Sequence, residues 1–562
     1  MNSPDASQRR WTLLANATGW LGGAVVIAWF AALLFRHHIP VIPEVDCQGY
    51  FLIARSFSQF EWPRWPEDFS RFVGHVWVQV GEQHVMAKYP PGWPVLLTLG
   101  YWLAGLAGAL WVNPVLAVLG ALAFFLLLWR LFNVPVAFIG TTLWVFSPLV
   151  PFYMNYPLSH SADVTMTLLA FLFTVGAAQT GRLWLLIAAG GCAGFLPAIR
   201  PVNVLLWPAL AAMFWALHPG KPRRWRAGLV AWLIPLAMLA LYNWISFGAP
   251  WRTGYALTGE QTGFGWQALE SRWQLLPAIT TTFFEPRWWG LILAGMLLSW
   301  RRWKLAVAIA LWLLPLPVVY ASYYYFQPHE EFTRFLLAGL PAWILWVGFL
   351  LPEDARWRLV GLAGFGLWLA AVPPAFLVHL QQHQAGRQYT NLEESQSAAV
   401  RLAGMFHRLP KTNHLPPGPG ALYATGRRGW TFGATKNAVN YDLASWHDAH
   451  YDKPLDADCA RAKIWEDPRR HAARHEWYAR TDRRQDFLTR IRHDLAAGRA
   501  VYFADDYGWP MRKWIAAAPD LKLHSISSGN LWQLSQVPPP AGANSRISSA
   551  TPPRLSDVRY HH

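Results

Sequence analysis

Five charged side chains in this 562-residue chain stand in short polar segments beside long apolar stretches, where a charge is costly and usually serves a site. Asp46, in PEVDCQGY, follows the first apolar stretch. Its carboxylate could take a proton from a hydroxyl or hold a divalent cation, and a solvated loop carboxylate would look the same. Asp163, in NYPLSHSADVTMTLL, opens another apolar stretch with His160 one turn before it. Ser161 or Asp163 equally suits a helix N-cap, a role compatible with function. Lys88 lies in KYPPG. Its ammonium, beside a rigid Pro-Pro-Gly bend, could meet a phosphate as a point charge or snorkel to lipid headgroups. Arg200, in PAIRPVN, and Arg334, in EEFTRFLL, could grip a lipid phosphate in bidentate fashion or anchor the interface. Tyr50, Tyr89 and His160, next to these groups, are the expected substrate contacts.

Other chemistries are poorly served. Cys47, Cys192 and Cys459 fit no metal spacing and are too few for a disulfide framework. His471 and His475 have helical spacing, but HAARH lacks the acidic partner of a zinc protease and reads as a solvated face. The chain has no Walker loop, no strand-linked GxGxxG and no kinase signature, which argues against an ATP-driven pump. A net charge of +16 would suit a nucleic-acid partner. Much of that charge lies in short loops between apolar stretches, where membrane topology accounts for it, so no nucleic acid is expected.

The elements that position these residues are membrane helices. The apolar fraction is 54% against 14% charged, and long apolar stretches recur through the first 380 residues, each near the ~20 residues that cross a bilayer. Candidate spans are 13–35, 112–131, 135–155, 164–180, 183–199, 203–218, 227–246, 287–300, 303–321, 335–351 and 357–379. The first is too long for a signal-peptide core and reads as an uncleaved helix. The stretch 93–111 decides sidedness. If it does not cross, Arg9, Arg10, Arg130, Arg182, KPRRWR at 221–226, RRWK at 301–304, Arg356 and Arg358 share one side, which is then cytoplasmic. Its opening, KYPPGWP, suits a bend, so 93–111 reads as a helix lying in or dipping into the outer interface. Residues 47–60 place Tyr50, Phe51, Ala54, Phe57 and Phe60 near one helical face, as a membrane-surface helix would.

The expected fold is an α-helical polytopic membrane protein of about eleven transmembrane helices, with interfacial helices in the first outer loop and a small C-terminal α/β soluble domain. Residues 1–380 form the membrane module, 381–536 the extracytoplasmic domain and 537–562 a disordered tail. ALYATG (421–426), VYFADD (501–506) and LHSISSGNLWQL (523–534) read as strands.

In chain order, VDCQGY, KYPPGWP, YPLSHSAD, AIRP, YNWISFGAPWRTGY and RFLLAGLP resemble the membrane glycosyltransferases of the C fold class. Within that class the chain is similar to the group of aminoarabinose-to-lipid-A transferases and protein O-mannosyltransferases, over roughly residues 13–380. The resemblance implies a polyprenyl-phosphate sugar donor, membrane lipids as surroundings and an acceptor lipid, glycan or protein that the motifs do not identify. It implies an inverting displacement; the basic loops put this at the outer face of a bacterial inner membrane, with the N-terminus cytoplasmic and the C-terminal domain periplasmic. It makes Asp46 and Asp163 catalytic, and Lys88 a donor-phosphate ligand, a task that Arg200 and Arg334 are placed to share. Many relatives carry a second acidic residue after the first aspartate; here Cys47 and Gln48 follow Asp46, which weakens any claim of a bound metal at this loop, so no cofactor is firmly implied and a divalent metal ion is the one candidate. A transporter or flippase of a lipid-linked sugar is the alternative, disfavoured because no internal repeat is visible. A surface-glycan polymerase or ligase would share the chemistry. A ligand sensor would leave the long first loop unexplained.

Overall fold

Apolar stretches in lipid must satisfy their own backbone hydrogen bonds, and the computed structural model duly turns most of them into helices. It describes residues 6–36, 38–39, 42, 45–66, 77–80, 84–147, 149–218, 225–258, 264–266, 269–270, 286–323, 334–351, 354–371, 420–424, 439–442, 483–504, 511–527 and 531–537. Helix α1 (Ala6–Arg36) is followed by α2 (Val45–Ser58) and a small antiparallel sheet of β1 (Trp65–Pro66), β2 (Trp77–Val80) and β3 (His84–Ala87), in the order β1-β3-β2. Then come α3 (Gly92–Leu131), α4 (Val134–Val145), α5 (Leu149–Asn155), α6 (His160–Thr180) and α7 (Leu183–Ile199). A 3-10 turn, Pro201–Leu206, leads into α8 (Trp207–Leu217), α9 (Trp225–Phe247) and α10 (Gly254–Thr258). The last membrane elements are α11 (Pro286–Leu298), α12 (Trp303–Leu313), α13 (Pro315–Ala321), a 3-10 turn Arg334–Gly339, α14 (Leu340–Leu345) and α15 (Ala355–Ala371).

Local signals set the boundaries. Asn133 caps α4 by accepting a hydrogen bond from the Val136 amide at 3.0 Å, and Gly181, at φ 65°, ends α6 in the left-handed conformation that glycine tolerates. Prolines open α8, α13 and α14 at their first turns. The outward faces carry exposed Leu13, Leu103, Met238 and Leu297, an apolar exterior that suits lipid. Among the described residues, five helical runs are long and apolar enough to cross a membrane, or six if α4 and α5, bent by 72°, count as one. The count of about eleven crossings is not confirmed by these described residues. The stretches 203–218 and 335–351 are split between 3-10 and α-helical turns, and 135–155 is two helices.

Helix α3 resolves the ambiguous stretch. Its backbone breaks at Ala104 (φ −151°) and Gly105 (φ 60°). A Cβ added to Gly100 would lie 2.6 Å from the Gly108 carbonyl, although eight residues of straight helix would separate the two by about 12 Å. The chain has doubled back. The first arm, 92–103, rises only about 18 Å and cannot span a hydrocarbon core of about 30 Å. The run 289–321 also reverses. Trp289 packs on Trp343 and Gly295 on Trp346, after which Trp312 bonds Ala338 and Tyr320 stacks on Phe335. The chain thus travels along 335–346 in one direction and returns in the other.

Cations collect at the bundle end where the second of these reversals lies. Arg302 donates to the Leu131 carbonyl at 3.1 Å, Lys304 sits over Trp215, and Arg130 lies beside Gln179. Asn113, early in the second arm of α3, and His160, the first residue of α6, belong to the site described below.

The C-terminal residues form a five-stranded mixed sheet from β4 (Gly420–Ala424), β5 (Val439–Asp442), β6 (Ala500–Ala504), β7 (Leu521–Ser527) and β8 (Leu531–Gln536), in the order β5-β4-β6-β8-β7. Helices α16 (Arg483–Ala496) and α17 (Met511–Ala516) cover one face, burying Phe487, Ile491 and Ile515 against Val501, Phe503 and Trp532. The stretch 523–534 falls on two antiparallel strands, β7 and β8. The boundary expected at 380, His471, His475, Cys459 and the tail beyond 537 lie outside the described residues.

Candidate functional site

Asp46 lies in the first turn of α2, half-buried. The Tyr89 hydroxyl donates a hydrogen bond to its Oδ1 at 2.8 Å. Tyr50, one turn along α2, stacks on Tyr89 with ring centroids 4.1 Å apart, and its hydroxyl is hydrogen-bonded with Ser159 and Tyr255. Gly49 makes this packing possible: a Cβ there would lie 2.6 Å from the Tyr89 ring. Burial pushes the Tyr50 phenol up to about 12. Burial first, then the charge of Asp46, raises Tyr89 well above its ordinary value. Both phenols stay protonated, so Tyr89 remains a donor to Asp46.

Lys88 precedes Tyr89. Its ammonium sits 5.8 Å from the Tyr89 ring centroid and 5.7 Å from that of Tyr255, between two aromatic faces that favour a cation. Gly254 presses against the Lys88 backbone so closely that it leaves no room for a side chain. Gly92 is similarly packed on Ala198, with a would-be Cβ 2.6 Å from its carbonyl, which brings the KYPPGWP bend against the segment bearing Arg200.

The second half of the site is closed. Asp163, 2% exposed, pairs with Arg200 at 3.5 Å and accepts a hydrogen bond from Asn203 Nδ2 at 2.7 Å. The guanidinium groups of Arg200 and Arg334 lie 5.1 Å and 5.5 Å from the centroid of Phe335. Tyr320 stacks on the same ring. His160 is buried, meets Phe335 edge-on, lies within electrostatic reach of both arginines and has no hydrogen-bond partner at Nδ1. The α6 N-cap is Ser159, with no side-chain cap bond, so neither Ser161 nor Asp163 has the capping role. Ser161 donates instead to the Asn113 carbonyl at 2.9 Å. Asn113 in turn donates to the carbonyls of Tyr156 and Leu158, strapping the loop before α6 to α3.

The eight residues singled out in the sequence, Asp46, Tyr50, Lys88, Tyr89, His160, Asp163, Arg200 and Arg334, thus gather at one end of the bundle. Beside them a cavity of about 240 Å³ runs into the helices, lined by Lys88, Pro197, Pro201, Leu236, Leu239 and Asn243 among others. Its walls are apolar and its cation is Lys88. The sequence reading missed Gly49, Asn113, Ser159, Asn203, Tyr255 and Tyr320. Asn113 and Asn203 carried a signal, as amides inside apolar stretches. Among the described residues no three His, Cys, Asp or Glu side chains converge as a metal site would require.

No family model matches the chain, and no curated protein matches it. Solved structures do. ArnT from Cupriavidus metallidurans matches in its apo state with a TM-score of 0.51 at 13% identity, covering 92% of this chain and 98% of the other. The same protein bound to undecaprenyl phosphate matches at 0.49, with the same identity and coverage. An Archaeoglobus fulgidus oligosaccharyltransferase in complex with Zn and sulfate matches at 0.43 and 14% identity, covering 74% of this chain and 62% of that one. At such identities the likeness speaks to architecture alone: the chain has the fold of the membrane glycosyltransferases of the C class that its motifs resemble.

Proposed function

We propose that the chain is a glycosyltransferase that moves a sugar from a polyprenyl-phosphate donor to an extracytoplasmic acceptor by inverting displacement. The observation that carries the reading is one juxtaposition: Tyr89 bonds the Asp46 carboxylate through its hydroxyl, its ring lies 5.8 Å from the Lys88 ammonium, and Lys88 borders an apolar cavity. A lipid phosphate needs a cation at headgroup depth and apolar walls below it, and this corner supplies both.

In the proposed reaction the acceptor oxygen attacks the anomeric carbon while the bond from that carbon to the phosphate oxygen breaks. The acceptor proton passes to Asp46, and the lipid monophosphate leaves with the bonding electrons. Lys88 stabilises the charge developing on the departing phosphate, with Arg200 and Arg334 strengthening the positive field behind it. Asp163 holds Arg200 in place rather than taking a proton, because Arg200 and Asn203 already occupy its carboxylate. Tyr50 and Tyr89 offer aromatic faces for a sugar ring. The site faces the outer side of a bacterial inner membrane in this reading, with the basic end of the bundle cytoplasmic.

The test is sugar transfer from a radiolabelled polyprenyl-phosphate sugar in membranes containing the protein. Asp46→Asn should lower turnover by roughly 10²–10⁴-fold at unchanged expression, the range for losing a general base. Wild-type turnover by that variant would remove Asp46 from the reaction.

A further inference from the structure

Helix α2 ends in a motif that normally takes glycine. The Glu61 amide donates to the Ser56 carbonyl at 2.9 Å and the Phe60 amide to the Phe57 carbonyl at 3.0 Å, the paired bonds of a Schellman C-cap. The residue that turns the chain there adopts the left-handed conformation, which crowds a Cβ against the following carbonyl. Here it is Phe60, at φ 58°, and among the described residues no other residue apart from glycines has a positive φ. A bulky side chain in that conformation is strained, and such strain persists where something else requires the side chain. Packing inside the protein does not require it. Phe60 is 88% exposed, and the Trp102 ring on which it stacks, with centroids 5.8 Å apart, hides little of it.

Phe60 is also what remains of an apolar face. The sequence places Tyr50, Phe51, Ala54, Phe57 and Phe60 on one side of α2, as a membrane-surface helix would. In the fold Tyr50, Phe51 and Ala54 are buried and Phe57 is half-buried, so Phe60 alone is bare. The first arm of α3 supplies part of the cover, with Trp93, Leu97 and Tyr101. That arm is fastened to the end of α2. Thr98 donates to the Ala54 carbonyl at 3.2 Å, and the Trp102 indole N–H to the Ser58 carbonyl at 3.0 Å, one of the carbonyls that a helix end leaves unpaired. Leu99, Trp102 and Leu103 share the arm's outward face, each more than half exposed.

Two constraints say what covers this patch. From Leu99 to Val112 the chain has no charged or amide side chain, which argues against water. The helix breaks at Ala104 and Gly105, both exposed, and a Cβ on Gly105 would meet nothing within 4 Å. Peptide groups freed from helical geometry cannot lie bare in the hydrocarbon core. Between water and core lies the headgroup boundary, where Trp is enriched because its ring is apolar and its N–H is not. The exposed Trp111, Val115, Leu119 and Leu122 continue from the tip along the second arm, so the patch is the upper edge of the lipid-facing surface.

We infer that Phe60 and the hairpin tip, 99–106, form one wedge seated in the headgroup–acyl boundary on the site side of the bilayer, and that Phe60 keeps its strained conformation to complete it. The wedge holds the last turn of α2 at that depth, and α2 carries Asp46 in its first turn. It stands whatever reaction the site performs.

The experiment uses the full chain in nanodiscs of phosphatidylethanolamine and phosphatidylglycerol, with Cys47 and Cys192 replaced by alanine and Cys459 by serine. A nitroxide on Leu103→Cys or Gln59→Cys is exposed in turn to oxygen, which concentrates among acyl chains, and to a nickel chelate, which stays in water. The Leu103→Cys label should meet oxygen more readily than nickel by more than about threefold, and the Gln59→Cys label should show the reverse. Should Leu103→Cys fail to fold, Leu99→Cys replaces it. Phe60→Gly and Phe60→Asn, both at ease at positive φ, should raise nickel access at Gln59→Cys by about twofold or more, while Phe60→Trp leaves it unchanged. Phe60→Gly should melt no lower than its parent, since it relieves strain. A Leu103→Cys label as open to nickel as the Gln59→Cys label would place the tip in water and overturn the inference. So would nickel access indifferent to Phe60→Gly and Phe60→Asn, since the ring would then hold nothing in lipid. A lower melting temperature for Phe60→Gly would mean that the ring serves its packing on Trp102, and would overturn it as well.

Discussion

Tyr89 couples the two charges that matter most, because its hydroxyl bonds Asp46 while its ring lies beneath the Lys88 ammonium. Replacing it with phenylalanine keeps the ring and removes the bond. Tyr89→Phe should cut sugar transfer by about tenfold through loss of carboxylate orientation while leaving lipid-phosphate binding within about twofold. Burial also gives Tyr50 a stability signature. Its phenol loses a proton at about 12 when folded, against an ordinary value of 10.0 when unfolded. Below pH 10 both states hold the proton and the contribution is complete. Between pH 10 and 12 the unfolded chain ionises first, so stability falls as pH rises. Melting temperature should drop across that window in the wild type and drop less in Tyr50→Phe. The Asp163–Arg200 pair predicts a different asymmetry. Arg200→Leu leaves a buried carboxylate with only Asn203 and should destabilise by about 3 kcal/mol, while adding Asp163→Leu should restore part of that loss. A double-mutant cycle on thermal unfolding measures the coupling.

At the scale of elements, apolar periodicity revealed helices but not their breaks. Span 135–155 reads as one crossing by length, yet it is two helices, α4 and α5, that part at 72°. The hairpin in α3 was legible as a bend at KYPPGWP, but the reversal itself lies at Ala104-Gly105, inside an apolar run with no polar marker. The site was legible to the same degree. Each of the eight residues is a charge, imidazole or phenol beside an apolar stretch, which is costly enough to notice. Neutral helpers such as Ser159 and Asn203 carry no such cost in a sequence. Nor could spacing separate the half-open Asp46 from the sealed Asp163, since that difference comes from contacts across the fold. The packing of α7 on α9 at Gly194, where a Cβ would meet the Trp232 carbonyl, yields a prediction with a built-in control. Gly194→Leu would force α7 off that carbonyl and should destabilise by about 3 kcal/mol or more, lowering both the melting temperature and the folded yield. Gly191→Leu, three positions earlier on the same helix, meets nothing within 4 Å and should leave both unchanged.

The whole molecule is polarised along its axis. Arg130, Arg302 and Lys304 hold one end by contacts to backbone and tryptophan, and the proposed site fills the other. A chain inserted with its basic end retained in the cytoplasm would present Asp46 and Lys88 at the outer leaflet, where a sugar already carried across on a lipid becomes available. Both arms of α3 matter to this. Had residues 92–103 crossed the bilayer, every later loop would change sides and the basic end would face outward. The short first arm, turned back at Gly105, keeps them in register. Single cysteines report the outcome directly. Trp251, 83% exposed, follows α9 at the site end, and Trp300, 68% exposed, adjoins the basic cluster. In a background with Cys47 and Cys192 replaced by alanine and Cys459 by serine, a membrane-impermeant maleimide should label Trp251→Cys from the outer side of intact spheroplasts. Trp300→Cys should react only after permeabilisation. Labelling of both from one side would mean that the two ends do not lie on opposite faces of the membrane, and a donor displayed at the outer leaflet could not reach the site.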